Sequence, residues 1–116
     1  MNNMNSLLIE GIITEKPKLE TLCNGVKFCS VNIAVSRYYE NSSGDFEEEV
    51  SYFDIVAYGK IVEICSNECE KGRGIRVVGR LRQEKLTDDT GKAHSKIVVV
   101  AEHIEFRSLI KNDVNA

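Results

Sequence analysis

The side chains best suited to chemistry in this chain are rings and cations. Between Val50 and Lys92 the sequence reads VSYFDIVAYGK, then IVEICSNECEKGRG, then IRVVGRLRQEKLTDDTGK. Tyr52 and Tyr58 stand in the first piece. Arg76, Arg80 and Arg82 stand in the third, with Lys60, Lys71, Arg73 and Lys85 nearby in sequence. An aromatic ring stacks on any base, at about 1–3 kcal/mol per base. A row of cations tracks a polyanion, because each neutralised phosphate releases condensed counterion. Together they suit a polyanion with exposed bases.

Other chemistries lack their parts. Glu47, Glu48 and Glu49 are consecutive, so neighbours point apart and the run reads as a charged loop. Neither His94 nor His103 has a local partner for nucleophilic catalysis. The serines and cysteines lack elbow contexts, and the GRG at 72–74 is too short for a phosphate loop. Cys65 and Cys69 are four apart, which is one face of a helix and not the zinc-loop gap. With Cys23 and Cys29 they read as buried, reduced thiols. The expectation is a protein with no catalytic residue, no metal and no cofactor.

The totals agree with one soluble domain. The chain has 116 residues, 42% hydrophobic and 28% charged, with a net charge of −3. No run is long and apolar enough to span a bilayer. MNNMNSLLIEGII lacks a basic n-region and carries Glu10, so a cytoplasmic, nucleoid-associated location without membrane contact is expected. Charge is unevenly spread: residues 1–50 carry −4, residues 51–116 carry +1, and residues 71–85 carry +5. A strongly cationic stretch therefore lies on an acidic background.

The elements that must position these residues are mostly strands. Residues 5–14 are apolar and β-prone, with Gly11 marking a bend or bulge. Pro17 sits in a short connection, and Asn24-Gly25 signals a hairpin. Over 26–38, Val31, Ile33 and Val35 share one face; Ser30, Asn32, Ala34, Ser36 and Tyr38 share the other. ENSSGDFEEE, 40–49, reads as a polar loop. Over 50–58, Tyr52, Asp54, Val56 and Tyr58 project one way, and Phe53, Ile55 and Ala57 the other. Ile61, Val62, Ile64, Cys65 and Cys69 fit one amphipathic helix of about ten residues, closed by Lys71-Gly72. Strands follow at 74–86 and 94–106, joined by a DDTG turn. In the first, Arg76, Arg80 and Arg82 lie opposite Ile75, Val77 and Leu81.

Three strands, a helix and two strands is the order of an all-β, five-stranded OB-fold barrel with one short helix between strands 3 and 4. The domain is placed at 1–107, and 108–116 is expected to be a short disordered tail. Phe28, Phe53 and Phe106 are expected in the core or at an interface, and Tyr39 falls on the parity opposite Tyr38.

Ser36-Arg37-Tyr38, an acidic loop, Val50 to Lys60, Glu70-Lys71-Gly72 and Gly79-Arg80-Leu81-Arg82, in that order and spacing, resemble the bacterial single-stranded DNA-binding proteins. The resemblance covers about residues 5–107. It implies a homotetramer wrapping single strands without sequence readout, in replication, recombination and repair. It places Tyr38, Tyr52 and Tyr58 at base-stacking positions, with Leu86 as an apolar contact where the family often has tryptophan. It places Lys60, Lys71, Arg82 and Lys85 along the backbone, and the parity of the arginine row adds Arg80. Glu20, Asp54 and Glu84 stand where relatives often carry basic groups, which points to weaker or more salt-sensitive binding. The acidic Pro-Phe tip of the family is absent from this sequence, so recruitment of replication and repair proteins is left open. The alternative is an OB-fold adaptor, of restart-primosome, plasmid or phage type, acting through protein contacts.

Overall fold

The computed structural model describes residues 1–107; the expected tail lies outside them. Six strands and one helix follow in chain order: β1 (Leu7–Ile13), β2 (Lys18–Thr21), β3 (Lys27–Glu40), β4 (Phe46–Tyr58), α1 (Lys60–Glu68), β5 (Gly74–Thr87) and β6 (Ala93–Phe106). The strand order is β1-β5-β6-β4-β3-β2, and a further β1–β3 pairing closes five long strands into a barrel. The helix follows the third of these long strands, as the sequence implies. The addition is β2, four exposed residues paired to β3 beyond the barrel. Its KLET offers no buried face, so periodicity gave no reason to separate it from a connection.

Alternation builds the core. Ile13, Val31, Ile33, Ile55, Ile75, Val77 and Val99 point inward, each at most 2% exposed. Val62 and Cys65 of α1 close one end of the barrel against Cys29 and Ala57. Contact with the Cys65 thiol, and then burial, push the Cys29 thiol up. All four cysteines are free thiols, and Cys29, Cys65 and Cys69 are buried. Cys23 departs from expectation: it is exposed, in the tight turn where Leu22 and Val26 close the β2–β3 hairpin.

The helix is shorter than its apolar spacing suggests. It ends at Glu68, and Cys69 is an extended cap whose N–H still reaches the Cys65 carbonyl at 3.0 Å. Gly11 lies where β1 approaches β3: a Cβ there would stand 2.6 Å from the Ala34 carbonyl oxygen. The β5–β6 ladder shifts register between Val78 and Gly79, opposite His103 and Ala101. The shift leaves Glu102 as an extra residue on β6, so Ala101 and Ile104 both turn inward. At Gly79 the strands come so close that a Cβ would meet the Val100 carbonyl oxygen at 2.2 Å.

The largest correction concerns residues 40–49. The acidic stretch is mainly ladder: β3 and β4 stay paired from Phe28↔Tyr58 out to Glu40↔Phe46. Only Asn41–Asp45 turn, and the Asn41 side chain accepts from the Ser43 and Asp45 amides at 2.9 and 3.0 Å. Tyr39 donates to Glu47 at 2.8 Å across the ladder. Cross-strand pairing supplies partners that a polar composition conceals.

Candidate nucleic-acid interface

One outer sheet face collects most of the predicted site. On β3 and β4 it carries the pairs Phe28↔Tyr58, Ser30↔Val56, Asn32↔Asp54, Ala34↔Tyr52, Ser36↔Val50, Tyr38↔Glu48 and Glu40↔Phe46. Val56 pairs with Val100 of β6. Val100, Val98, Lys96 and His94 pair in turn with Arg80, Arg82, Glu84 and Leu86 of β5. Side chains at these positions share a side by strand parity. Tyr38, Tyr52, Tyr58, Arg80, Arg82 and Leu86 are thus brought onto one surface.

That surface is not the wet face its alternation implies. Val56, Val98 and Val100 are buried on it, with Phe28 and Tyr58 packed against them. Phe28 therefore serves the outer face instead of the barrel core. Its ring lies 5.9 Å from that of Tyr58, tilted by 33°. Phe53 has the inward parity yet is exposed, and Phe106 packs on the core as expected.

The rings differ in availability. Tyr38 is 73% exposed and Tyr52 65%. Tyr58 is half-buried: the Arg82 guanidinium sits over its ring at 5.4 Å and donates to its hydroxyl at 2.7 Å. Leu86 is exposed beside His94 on the β5–β6 hairpin. Phe46, 78% exposed, shares the parity of Tyr52 and was missed because its segment reads as loop. Its only sequence signal is the even spacing Phe46, Tyr52, Tyr58, visible once the strand is extended backwards. The Glu48 carboxylate raises the Tyr38 hydroxyl above its ordinary range.

The cations are less free than the sequence implies. Arg76 is paired to Glu10 at 2.9 Å, Arg80 to Glu102 at 3.2 Å and Arg82 to Glu84 at 2.6 Å. Arg73 is held by Glu68 and lies over the Phe106 ring at 5.1 Å, so it fastens the end of α1 to β6 and leaves the track. Lys85 faces Ser95, on the side of the hairpin opposite Arg82. Lys60 opens α1 and Lys71 lies in the turn beyond it, both exposed and away from the sheet face in sequence. Among the described residues, none of Lys60, Lys71 and Lys85 has a carboxylate partner within 4.0 Å.

Asp54 lies centrally on the face. It accepts from Asn32 at 2.9 Å and from Lys96 at 2.8 Å, and these bonds hold its carboxyl below the usual range. Asn32 in turn accepts from the Thr14 hydroxyl at 2.7 Å. Among the described residues no three His, Cys, Asp or Glu groups are placed to hold a metal ion. No helix among them is long and apolar enough to cross a membrane.

A family model described as the Single-strand binding protein family matches residues 4–107. The chain belongs to this family. A "Single-stranded DNA-binding protein" of Aquifex aeolicus is 37% identical over 101 residues, covering 87% of this chain and 68% of the relative. Its Helicobacter pylori counterpart is 29% identical, covering 88% of this chain and 57% of the relative. This chain therefore spans about three fifths of the length of the relatives it matches. Among solved structures, a Plasmodium falciparum SSB in complex with ssDNA has the same fold, with a TM-score of 0.85 over 93% of this chain and 98% of that one, at 18% identity. A deletion mutant of the Thermus aquaticus single-stranded DNA binding protein gives 0.81 at 26% identity, over 92% of this chain and 52% of that one. Family members thus share the barrel that carries this ring-bearing face.

Proposed function

We propose that this chain binds single-stranded DNA without sequence readout and protects it during replication, recombination and repair. The observation that carries this reading is the row of exposed rings, Phe46, Tyr52 and Tyr38, on one face with Arg80 and Arg82. Stacking accepts every base, so such a row asks only that bases be unpaired. Tyr58, Phe28 and the valine floor fix the inner end of the row, and Leu86 adds an apolar contact from the hairpin. Arg80 and Arg82 line the face beside the rings, each with a carboxylate partner, and Lys60, Lys71 and Lys85, which lie off that face, meet the backbone where the strand leaves it. The reading needs no catalytic residue and no cofactor.

The working unit in this reading is a homotetramer. Leu7–Gly11 of β1 pair with β5, while β1 meets β3 only at Ile12 and Ile13. That leaves a stretch of strand edge beside exposed Leu8 and Ile12, suited to a second copy. An adaptor acting through protein contacts is the second reading, favoured by the paired state of Arg76, Arg80 and Arg82.

Mass in solution, with and without a long oligo-dT, tests both. The expected values are four times the 13.0 kDa chain alone and a heavier complex with the oligomer at low salt. A mass unchanged by oligo-dT at low salt overturns DNA binding in favour of the adaptor.

A further inference from the structure

The cations on the outer parity of β5 and β6 are already matched by carboxylates of the same chain. Arg76, Arg80, Arg82 and Lys96 each have one within 3.2 Å. The centre of the ring-bearing face shows this most clearly. Arg82 is bonded to Glu84; Glu84 stands opposite Lys96 across the β5–β6 ladder; Lys96 is bonded to Asp54. Two cations and two anions interleave, and their formal charges cancel.

The two carboxylates are held differently. Asp54 is fixed by Asn32, itself tied to Thr14 of the β1 end, so Asp54 keeps its place whether or not Lys96 stays. Glu84 has the Arg82 guanidinium as its hydrogen-bond partner among the described residues. The four side chains are between 29% and 46% exposed, so each pair is a modest, exchangeable attraction and not a lock. A phosphate reaching Arg82 or Lys96 must nevertheless take it from a carboxylate already in place.

We propose that Asp54 and Glu84 are specificity-determining residues, which neutralise Arg82 and Lys96 so that a strand is held on this face by stacking rather than by charge. This rests on the single-strand binding reading above. A duplex or an abasic strand presents phosphates without open π-faces. Such a ligand meets little net charge at the centre of this face and has nothing to stack. Carboxylates thus keep bare polyanions below the affinity at which they would occupy the site at working salt.

The test uses the full chain carrying Asp54→Asn, Glu84→Gln and both. Each protein is titrated over a range of salt with oligo-dT, with an abasic oligomer of equal length and with a duplex. Two recovered phosphate contacts make the salt slope of the double variant steeper by about 1.4, at about 0.7 per contact on a single strand. Its affinity for the abasic oligomer rises about tenfold at low salt. Lys96→Met separates competition from a change in the fold: in the Asp54→Asn background it removes the recovered contact, so oligo-dT affinity falls and the salt slope returns by about 0.7 towards that of the wild type. Should Asp54→Asn fail to fold, Glu84→Gln alone carries the test, with a slope change of about 0.7.

Folded variants with the wild-type slope and affinities overturn the role of the carboxylates, while wild-type binding of oligo-dT leaves the single-strand reading standing. A wild type blind to oligo-dT, beside a double variant that gains salt-sensitive abasic binding, overturns the stacking reading and supports the carboxylate role. Absence of binding by every protein overturns both.

Discussion

A ring can stack on a base only where the protein has left its face uncovered. Tyr58 is capped by Arg82 and braced by Phe28, whereas Tyr52, Tyr38 and Phe46 stand open. Replacing Tyr52 or Phe46 with alanine is therefore expected to weaken oligo-dT binding by about 1–3 kcal/mol each, without changing the melting temperature. Tyr39→Ala, on the opposite parity, should leave affinity within about 0.5 kcal/mol of wild type. Anisotropy titrations check both, and equal losses at Tyr39 and Tyr52 would remove the case for a single face. The shared side of the tyrosines was legible from alternation alone. Ion pairing was not: Glu10, Glu102 and Asp54 reach their cations across strands, and that depends on which strands are neighbours and in what register.

The five barrel strands were legible, because inward Ile and Val recur every second residue where a barrel wall needs them, while the exposed β2 was not. Nor was the end of one hairpin. Both β3–β4 and β5–β6 run beyond the core, where polar residues pair with polar residues and leave no apolar period; the DDTG turn marked the end of β5–β6 to within a residue, whereas the acidic end of β3–β4 read as loop. Both end in similar turns, with Asn41 or Asp88 accepting amides two and four residues ahead, and Gly44 or Gly91 at φ 85° or 82°. Asp88 adds the Thr90 hydroxyl at 2.6 Å and His94 at 2.7 Å, and these with the Lys92 amide hold its carboxyl at about 2, below the ordinary 3.8. A depressed carboxyl stabilises the folded tip fully above its ordinary value, and that contribution is lost as pH falls through the folded value. Protection of the Thr90 and Lys92 amides, relative to their intrinsic exchange rate at each pH, is expected to hold down to about pH 4 and to be lost between there and about pH 2. A tip that loosens above pH 5, or keeps its protection at pH 2, would contradict this. Asp88→Asn should flatten the transition.

At the scale of the whole molecule, a chain of net charge −3 presents a ring-bearing face whose central cations are internally paired. In the proposed reading such a molecule holds DNA chiefly through bases, and the backbone charge comes from Lys60, Lys71 and Lys85, which have no carboxylate partner within 4.0 Å among the described residues. The +5 of residues 71–85 was legible in the sequence, but its partial cancellation by Glu10 of β1, Glu68 of α1 and Glu102 of β6 appeared only when the barrel closed. With no tryptophan in the chain, tyrosine emission reports directly on the proposed surface. Titrating that emission with oligo-dT at low salt tests the central claim most directly. Saturable quenching, reversed by salt with a slope of about −0.7 per phosphate contacted, is the predicted result. Emission unmoved by oligo-dT at low salt, in a folded protein, would contradict it.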